Sequence, residues 1–576
     1  MTVNASVGPP LRVPVGHDAQ RWSTFHGEKT LVVAARTVTS TVRVLELLPA
    51  LVRGDSRVTV VFAYDPTSAF NDGVLQLLRD AGCRIMSWSQ LAGITPDLII
   101  SASENVDVPD GDCPVLVLPH GVGFQKLVPD SRTPDTRLSG AVPDSLLGTG
   151  RAWLALSHPD QREQLLASHP KAAGRTLLVG DPVFDQLFNS LPRARSYKEA
   201  LGVAADQRLV VISSTWGPTS LIGRDPGFPA RLLAELPYDE YRVAAILHPN
   251  VWSGHGSWQI RTTEAAALEA GLMLVPPVHA WQPALVAADV VIGDHGSVTL
   301  YGSALGKPVL LGTFGHDAVP GTAVARLAHA APHLDRREHL RAQIDSAVRE
   351  HAPARYAEIA ARAFAEPGQA LARLRAVVYE LLKLTEPESG PLRPTLAPAD
   401  PPVATVTSWM VETSTASEEG RCVVTVRRHA AAVSLSLSGD SREVPGTFLH
   451  LACDEEERDQ HLTESASVLL RHRPAPITVT ALRWIQDTLD RFPGSFLAAT
   501  ALDGGGCLVG LRDGRIVEAT VTGRANAPGL PAAVVYTCLR AELPLDDVFV
   551  TLRIGGVREE DVSLRLRPSP LPDPSR

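Results

Sequence analysis

The sequence predicts an α/β fold of two doubly wound Rossmann-like halves, followed by a C-terminal α+β domain. Two observations carry this expectation. Short apolar, β-branched runs alternate with helical patterns twice over, first from Thr30 to Val179 and again from Leu209 to Leu311. Beyond residue 404 the pattern changes to the two-residue alternation of exposed-face strands, mixed with a few helices.

The expected boundaries are a loose leader over 1–28, a first half over 29–195 and a second half with trailing helices over 196–384. A Pro-rich linker over 385–403 then leads to an α+β domain over 404–576. The first strand is Thr30–Ala35. A polar loop from Thr37 to Thr41 follows, and Ser40 or Thr41 can cap a helix over Val42–Val52. Val58–Ala63, Arg84–Trp88, Asp97–Ser101, Val115–Leu118, Trp153–Leu156 and Thr176–Val179 continue the first strand set, with a helix at Gly73–Ala81. The alternation pauses over Asp181–Ala204. It resumes with Leu209–Ser213, Arg242–Leu247, Leu272–Val275, Val290–Ile292 and Val309–Leu311. Trailing helices are expected at Arg337–Glu350 and Ala357–Leu384, the latter interrupted at Pro367-Gly368. In the C-terminal domain, Cys422–Val426 and Ala432–Leu437 read as strands, Leu508–Ile516 as a hairpin and Ile477–Leu489 as a helix.

Composition narrows the function. At 576 residues, 44% hydrophobic and 20% charged, the chain has the make-up of a multidomain globular protein. A net charge of −9 without a basic stripe argues against a nucleic-acid partner. Six widely spaced cysteines suit reduced thiols, and no run reaches the length of a membrane span, so a cytoplasmic location is expected. A peripheral membrane contact stays open, as does a protein partner for the C-terminal domain. No metal and no resident cofactor is expected.

The chain is organised around the strand–turn–helix–strand pattern from Ala288 to Leu311. A buried strand ends at Gly293, the polar turn Asp294-His295-Gly296-Ser297 follows, and Val298 opens a short helix that Gly306 terminates. Such a turn aims the free N–H groups of a helix N-terminus at the crevice beyond the strand, an anion site in waiting. Asp294, His295, Gly296, Ser297 and Val298 are therefore expected to bind the phosphates of a donor. His248 ends a strand in the same half, where its imidazolium could offset charge on a leaving pyrophosphate, and Thr215 and Trp216 line the same cleft. In the first half His120 follows the strand Val115–Leu118 and precedes Gly121-Val122-Gly123. A neutral imidazole there can take a proton from an acceptor hydroxyl near pH 7. Thr39, Ser40 and Gly121 are expected on that acceptor side.

These residues carry a family resemblance over about residues 30–335. The plan resembles the GT-B fold of nucleotide-sugar glycosyltransferases, and two branches of it align. The CDP-glycerol glycerophosphotransferase family has a T-D-Y-S-S motif with a later Lys-Pro, similar to Gly293-Asp294-His295-Gly296-Ser297 and Lys307-Pro308. Its W-H-G, R-x-H-P and P-T-W-R motifs resemble Pro119-His120-Gly121, Ile246-Leu247-His248-Pro249 and Ser214-Thr215-Trp216-Gly217. The non-hydrolysing UDP-N-acetylglucosamine 2-epimerases align over Asp294–Leu310, His248-Pro249-Asn250 and Val179–Asp185. They differ where it matters: Thr299-Leu300-Tyr301 stand in place of the carboxylates an epimerase uses to remove a proton from carbon.

The resemblance implies a transferase without cofactor. It would move a glycosyl or polyol-phosphate group from a nucleotide-activated donor to the hydroxyl of a polymer, lipid-linked or small acceptor, in cell-envelope or secondary glycoconjugate synthesis. The alternative is a GT-B-derived binding or scaffold protein without activity.

Overall fold

The computed structural model describes residues 11, 21–25, 27–130, 135–390, 393, 395–434, 446–523, 529–556 and 558–567. The first half is a seven-stranded parallel sheet. Its spatial order is Ile85–Ser87, Val58–Tyr64, Lys29–Ala35, Leu98–Ser101, Val115–Val117, Ala152–Leu156 and Thr176–Leu178. The second half is a five-stranded parallel sheet in the order Met273–Val275, Tyr241–Leu247, Arg208–Ser214, Val290–Gly293 and Val309–Leu311. Each sheet winds outward in both directions from one central pair: Lys29–Ala35 with Leu98–Ser101, and Arg208–Ser214 with Val290–Gly293. Strands covered by helices on both faces must be apolar throughout, and Leu31–Ala35 and Leu209–Ile212 are buried without a break. The crevice beyond the carboxyl ends of such a pair is where a doubly wound sheet receives ligands.

The helix after the first strand begins earlier than expected, at Val38, and runs to Leu51. Its cap is Thr37, not Ser40 or Thr41. Thr37 Oγ1 accepts the Ser40 N–H at 3.1 Å, and Ser40 Oγ accepts the Thr37 N–H at 3.2 Å. This reciprocal pairing satisfies two N–H groups at the helix start. It also buries Ser40.

The stretch between the halves is helical, Pro182–Ser190 and Ala194–Ala200. The trailing helices divide. Leu340–Arg349 packs on the second half, with Leu340 and Ile344 in the same apolar cluster as Val210 and Ile292. Ala370–Leu382, expected with the second half, returns to the first, where Leu374, Val378 and Leu382 join Leu47, Leu48 and Leu51 in one core. Tyr379 donates to Asp55 at 2.8 Å to fix that return. The amphipathic period showed that this helix needs a core to cover, and said nothing of which one.

The Pro-rich stretch 385–403 has neither helix nor strand where it is described, yet it is docked and does not behave as an open tether. Leu396 and Ala399 are buried in the second-half core, the Leu396 carbonyl accepts from Tyr197 Oη at 2.9 Å, and the Leu396 N–H donates to Ser190 Oγ at 3.2 Å.

The C-terminal region is more specific than the expected α+β domain. Nine strands between Ser408 and Arg567 close into a barrel. The helix Gly529–Arg540 runs inside it: every residue from Gly529 to Cys538 is buried, and its apolar side chains share a cluster with inward-facing Val424, Val468, Leu497, Val509 and Val562. A second helix, Thr478–Arg491, lies outside and presses so closely that a Cβ on Gly510 would meet Ile485 Cγ2 at 2.2 Å. The strand expected at Ala432–Leu437 is instead helical over Ala431–Ser434, and Leu435–Leu437 lie outside the described residues. Ala430 and Val433 are pulled into the second-half core, and that packing overrides the local alternation. The barrel is anchored there by a two-pronged Arg428–Asp239 pair, at 2.9 and 2.6 Å. Burial works against the Asp239 carboxylate, but the charge and hydrogen bonds of Arg428, with smaller help from Arg558 and His429, outweigh it and keep the group below the ordinary carboxylate range.

Candidate functional site

A cleft of about 690 Å³ opens between the two halves, beyond the carboxyl ends of both sheets. His120 stands on the first-half wall because its strand ends at Val117 and the chain turns there into a glycine loop. Strand Leu98–Ser101 runs beside it, so the residues just past its end, Ala102 to Glu104, come alongside His120. The Ala102 carbonyl accepts from His120 Nδ1 at 3.2 Å, and Glu104 Oε2 lies 3.9 Å from the same nitrogen. The neutral ring therefore carries its proton on Nδ1 and leaves Nε2 basic. Glu104 is in turn held by Arg137 at 2.8 Å. Burial alone would raise the Glu104 carboxyl, but His120, once it holds a second proton, and Arg137 outweigh it and keep it below its usual value. A base with an ionised carboxylate behind it is the arrangement general-base chemistry uses.

The opposite wall belongs to the second half. His248 ends strand Tyr241–Leu247 and caps the helix Pro249–Thr263, its Nδ1 accepting the Asn250 N–H at 3.1 Å. Its proton must then sit on Nε2. Burial, with the charges of His120 and Lys126 adding to it, pushes this imidazole down to about 3. The imidazolium expected at this position is thus corrected to a neutral N–H donor. Trp216 lies beside it at 6.5 Å between ring centroids, edge-on to Phe70 of the first half at 5.8 Å and under Lys126 at 5.6 Å.

The turn at 294–298 is assembled differently from its expected form. Asp294 is fully buried and does not face the cleft. Its Oδ2 accepts the N–H groups of Thr215 and Leu221 at 2.8 and 2.9 Å, and its Oδ1 that of Gly296 at 2.9 Å. Burial raises this carboxyl, with His295 and the three N–H groups opposing. Asp294 therefore ties the two cleft turns of the second half together instead of touching a ligand. Thr215, through its N–H, is part of the same tie. His295 is also committed: Nδ1 accepts the Gly315 N–H at 3.1 Å, and Nε2 meets Asp317 at 3.0 Å. His295 and Lys126, the latter at 3.0 Å, hold Asp317 well below the carboxylate range against the effect of burial.

Gly296 is the N-cap of the helix Ser297–Ala304 and supplies no side-chain cap, so Ser297 is the first helical residue and not the cap. The N–H groups of Ser297 and Val298 stand in the first turn, outside the intrahelical ladder, at the cleft wall. Ser297 Oγ crosses the cleft to accept the Val122 N–H at 3.2 Å. Gly121 must be glycine for this contact, since a Cβ there would lie 2.7 Å from Ser297 Oγ.

On the first-half side Thr39 lines the cleft and Ser40, buried in the capping pair, does not. Several lining residues escaped the sequence reading: Arg36, Arg43, Glu104, Lys126 and Arg137. Each of the four cations has a carboxylate beside it: Arg36–Asp65 at 3.2 Å, Arg43–Asp181 at 3.1 Å, Lys126–Asp317 at 3.0 Å and Arg137–Glu104 at 2.8 Å. Only the position of Glu104, a carboxylate just past a strand end next to the His120 strand, carried a signal that could have found it.

No protein-family model and no curated protein matches the chain. Solved structures do. The chain is similar to the wall teichoic acid polymerase TagF at 13% identity and a TM-score of 0.46, covering 62% of this chain and 89% of that one. It is similar to the UDP-GlcNAc 2-epimerase of Neisseria meningitidis at 16% identity and a TM-score of 0.38, over 62% and 99% of the two chains. A glycosyltransferase of Rickettsia africae gives 11% identity and a TM-score of 0.36, over 62% and 99%.

Proposed function

We propose that residues 29–384 form a GT-B type transferase that uses a nucleotide-activated donor. One observation supports this above the rest: a carboxylate-backed basic histidine and a bare helix N-terminus face each other across one cleft. His120 Nε2 would take the proton of an acceptor hydroxyl as that oxygen attacks the donor. The N–H groups of Ser297 and Val298, with His248 Nε2–H, would bind the donor phosphates and the charge that develops on the leaving nucleotide. Lining cations that are already paired leave that charge to neutral N–H donors. Contact between Ser297 and the Gly121 loop would keep water, the competing acceptor, out of the reacting position.

The reaction is the transfer of a glycosyl or polyol-phosphate group to a hydroxyl, and a CDP-glycerol donor is the first to try, on the motif resemblance. The test is thermal unfolding of the full chain with CDP-glycerol, UDP-N-acetylglucosamine and GDP-mannose. A ligand at 100 times its Kd stabilises by about 2.7 kcal/mol, a readily measured rise in Tm. If none of the three, nor a wider nucleotide panel, moves the transition, the chain is a binding or scaffold protein built on this fold.

A further inference from the structure

The cleft holds a second set of polar atoms that neither histidine uses. Helix Val38–Leu51 turns Thr39, Arg43 and Glu46 towards the cleft, at the i, i+4, i+7 spacing that puts them on one face. Thr39 Oγ1 and Arg43 Nε are each buried without a hydrogen-bond partner, and the buried Glu46 Oε1 has only the mostly exposed His279 ring, its Nδ1 3.3 Å away. Leaving such groups bare costs free energy that a ligand can recover. Arg43 is only 5% exposed, and its guanidinium is fixed by Asp181 Oδ1 at 3.1 Å, whose Oδ2 accepts from Tyr301 Oη at 2.7 Å. Tyr301 lies one turn along the helix from Ser297, so this face stands next to the phosphate position described above.

The chemistry of the three atoms says what would sit there. Arg43 Nε only donates, Glu46 Oε1 only accepts, and Thr39 Oγ1 does either. The charge of Arg43 is met by Asp181, and Glu46 repels an anion; His279, 3.3 Å from Glu46 Oε1 and mostly exposed, offsets that only when protonated. A further phosphate or carboxylate is therefore disfavoured. Neighbouring hydroxyls, each able to donate and accept, fit all three. We propose that this helix face is a subsite for vicinal hydroxyls of the group carried on the donor phosphate, which makes that group a polyol or sugar. This places Thr39 on the transferred group and not on the acceptor, and it rests on the transferase reading above.

The experiment compares matched ligands: CDP with CDP-glycerol, UDP with UDP-glucose, and GDP with GDP-mannose, by calorimetry on the full chain. Thr39→Val removes the hydroxyl at constant shape, and Glu46→Gln keeps the volume while changing an acceptor. In whichever pair binds, each variant is expected to weaken the group-bearing ligand by about 3–10-fold, the worth of one hydrogen bond, and the bare diphosphate by less than about 2-fold. Equal weakening of both members, or of neither, overturns the subsite while leaving the transferase intact. Failure of all three pairs and of the wider nucleotide panel to bind the unmodified chain removes the transferase reading and the subsite with it. Circular dichroism of each variant separates loss of binding from loss of fold.

Discussion

The two halves share the order of five strands, to which the first adds two more at one edge, and they meet the cleft with opposite chemistry. Each offers a histidine at the end of a strand. His120 gives its Nδ1 proton to a carbonyl and keeps Nε2 as an acceptor, whereas His248 uses Nδ1 to accept a helix N–H and keeps Nε2–H as a donor. Each half also offers a helix N-terminus beside its central strand pair. The first-half helix is closed by the Thr37–Ser40 box, while the second-half helix begins on an uncapped glycine. A capped start has used its N–H groups on itself; a bare start has kept them for a ligand. One topology thus yields a proton acceptor on one wall and hydrogen-bond donors on the other, by the placement of a few hydrogen bonds.

The largest test of this contrast exchanges nothing but the base. His120→Asn is expected to lower kcat by about 10²–10⁴-fold with donor Kd nearly kept, checked by steady-state rates beside calorimetry. His248→Asn should instead weaken donor binding and turnover together, by about 10-fold, because Asn can still cap the Pro249 helix and only the phosphate-facing donor is lost. If both variants show the same pattern, the two histidines do not divide the work.

The helix starts give the next pair. Ser297→Pro suits a first helical position but removes an N–H and the bond to Val122, so donor affinity should fall about 10-fold in a folded protein. Thr37→Ala should do the reverse, costing about 1 kcal/mol of stability in urea unfolding and leaving nucleotide affinity unchanged. A smaller effect follows from the depressed imidazole of His248. Unfolded, it protonates near pH 6.5, and folded only near pH 3, so the stability it contributes is complete above 6.5 and is lost as pH falls through that window. Between pH 6.5 and 5.5 the loss is expected to be about 1 kcal/mol, and urea titrations of His248→Asn should show a flatter dependence by that amount.

Which parts of this were legible in the sequence follows from what is local. The two strand sets were readable because continuous burial writes itself as runs such as Leu209–Ile212, and His120 and His248 stood out as polar residues where such runs end. The turn at 294–298 was found, but its internal wiring was not. Asp294 bonds to Thr215 and Leu221, more than seventy residues away, and a carboxylate that serves distant backbone looks in sequence like one that serves a ligand. The same holds for His295, whose partners Gly315 and Asp317 lie on a separate loop. Glu104, Arg43 and Lys126 reach the cleft through neighbours set by sheet order and by the approach of the halves, and no spacing records either. The barrel stayed hidden because closure pairs strands as distant as Arg421–Ala430 and Val548–Ile554.

That closure also sets an order of events on the ribosome. The enclosed helix Gly529–Arg540 is made before the hairpin of Val548–Ile554 and Arg558–Arg567, which fills the gap between Arg421–Ala430 and Ile516–Val521. Until those last strands emerge, seven strands must curve around an apolar helix with two unpaired edges exposed, the state most open to pairing with another nascent chain. The two parallel sheets, finished hundreds of residues earlier, can already offer Asp239 as a mooring for Arg428 and so hold the unfinished wall in place. A stop codon after Arg540 would leave the cleft residues intact and still send the protein into aggregates.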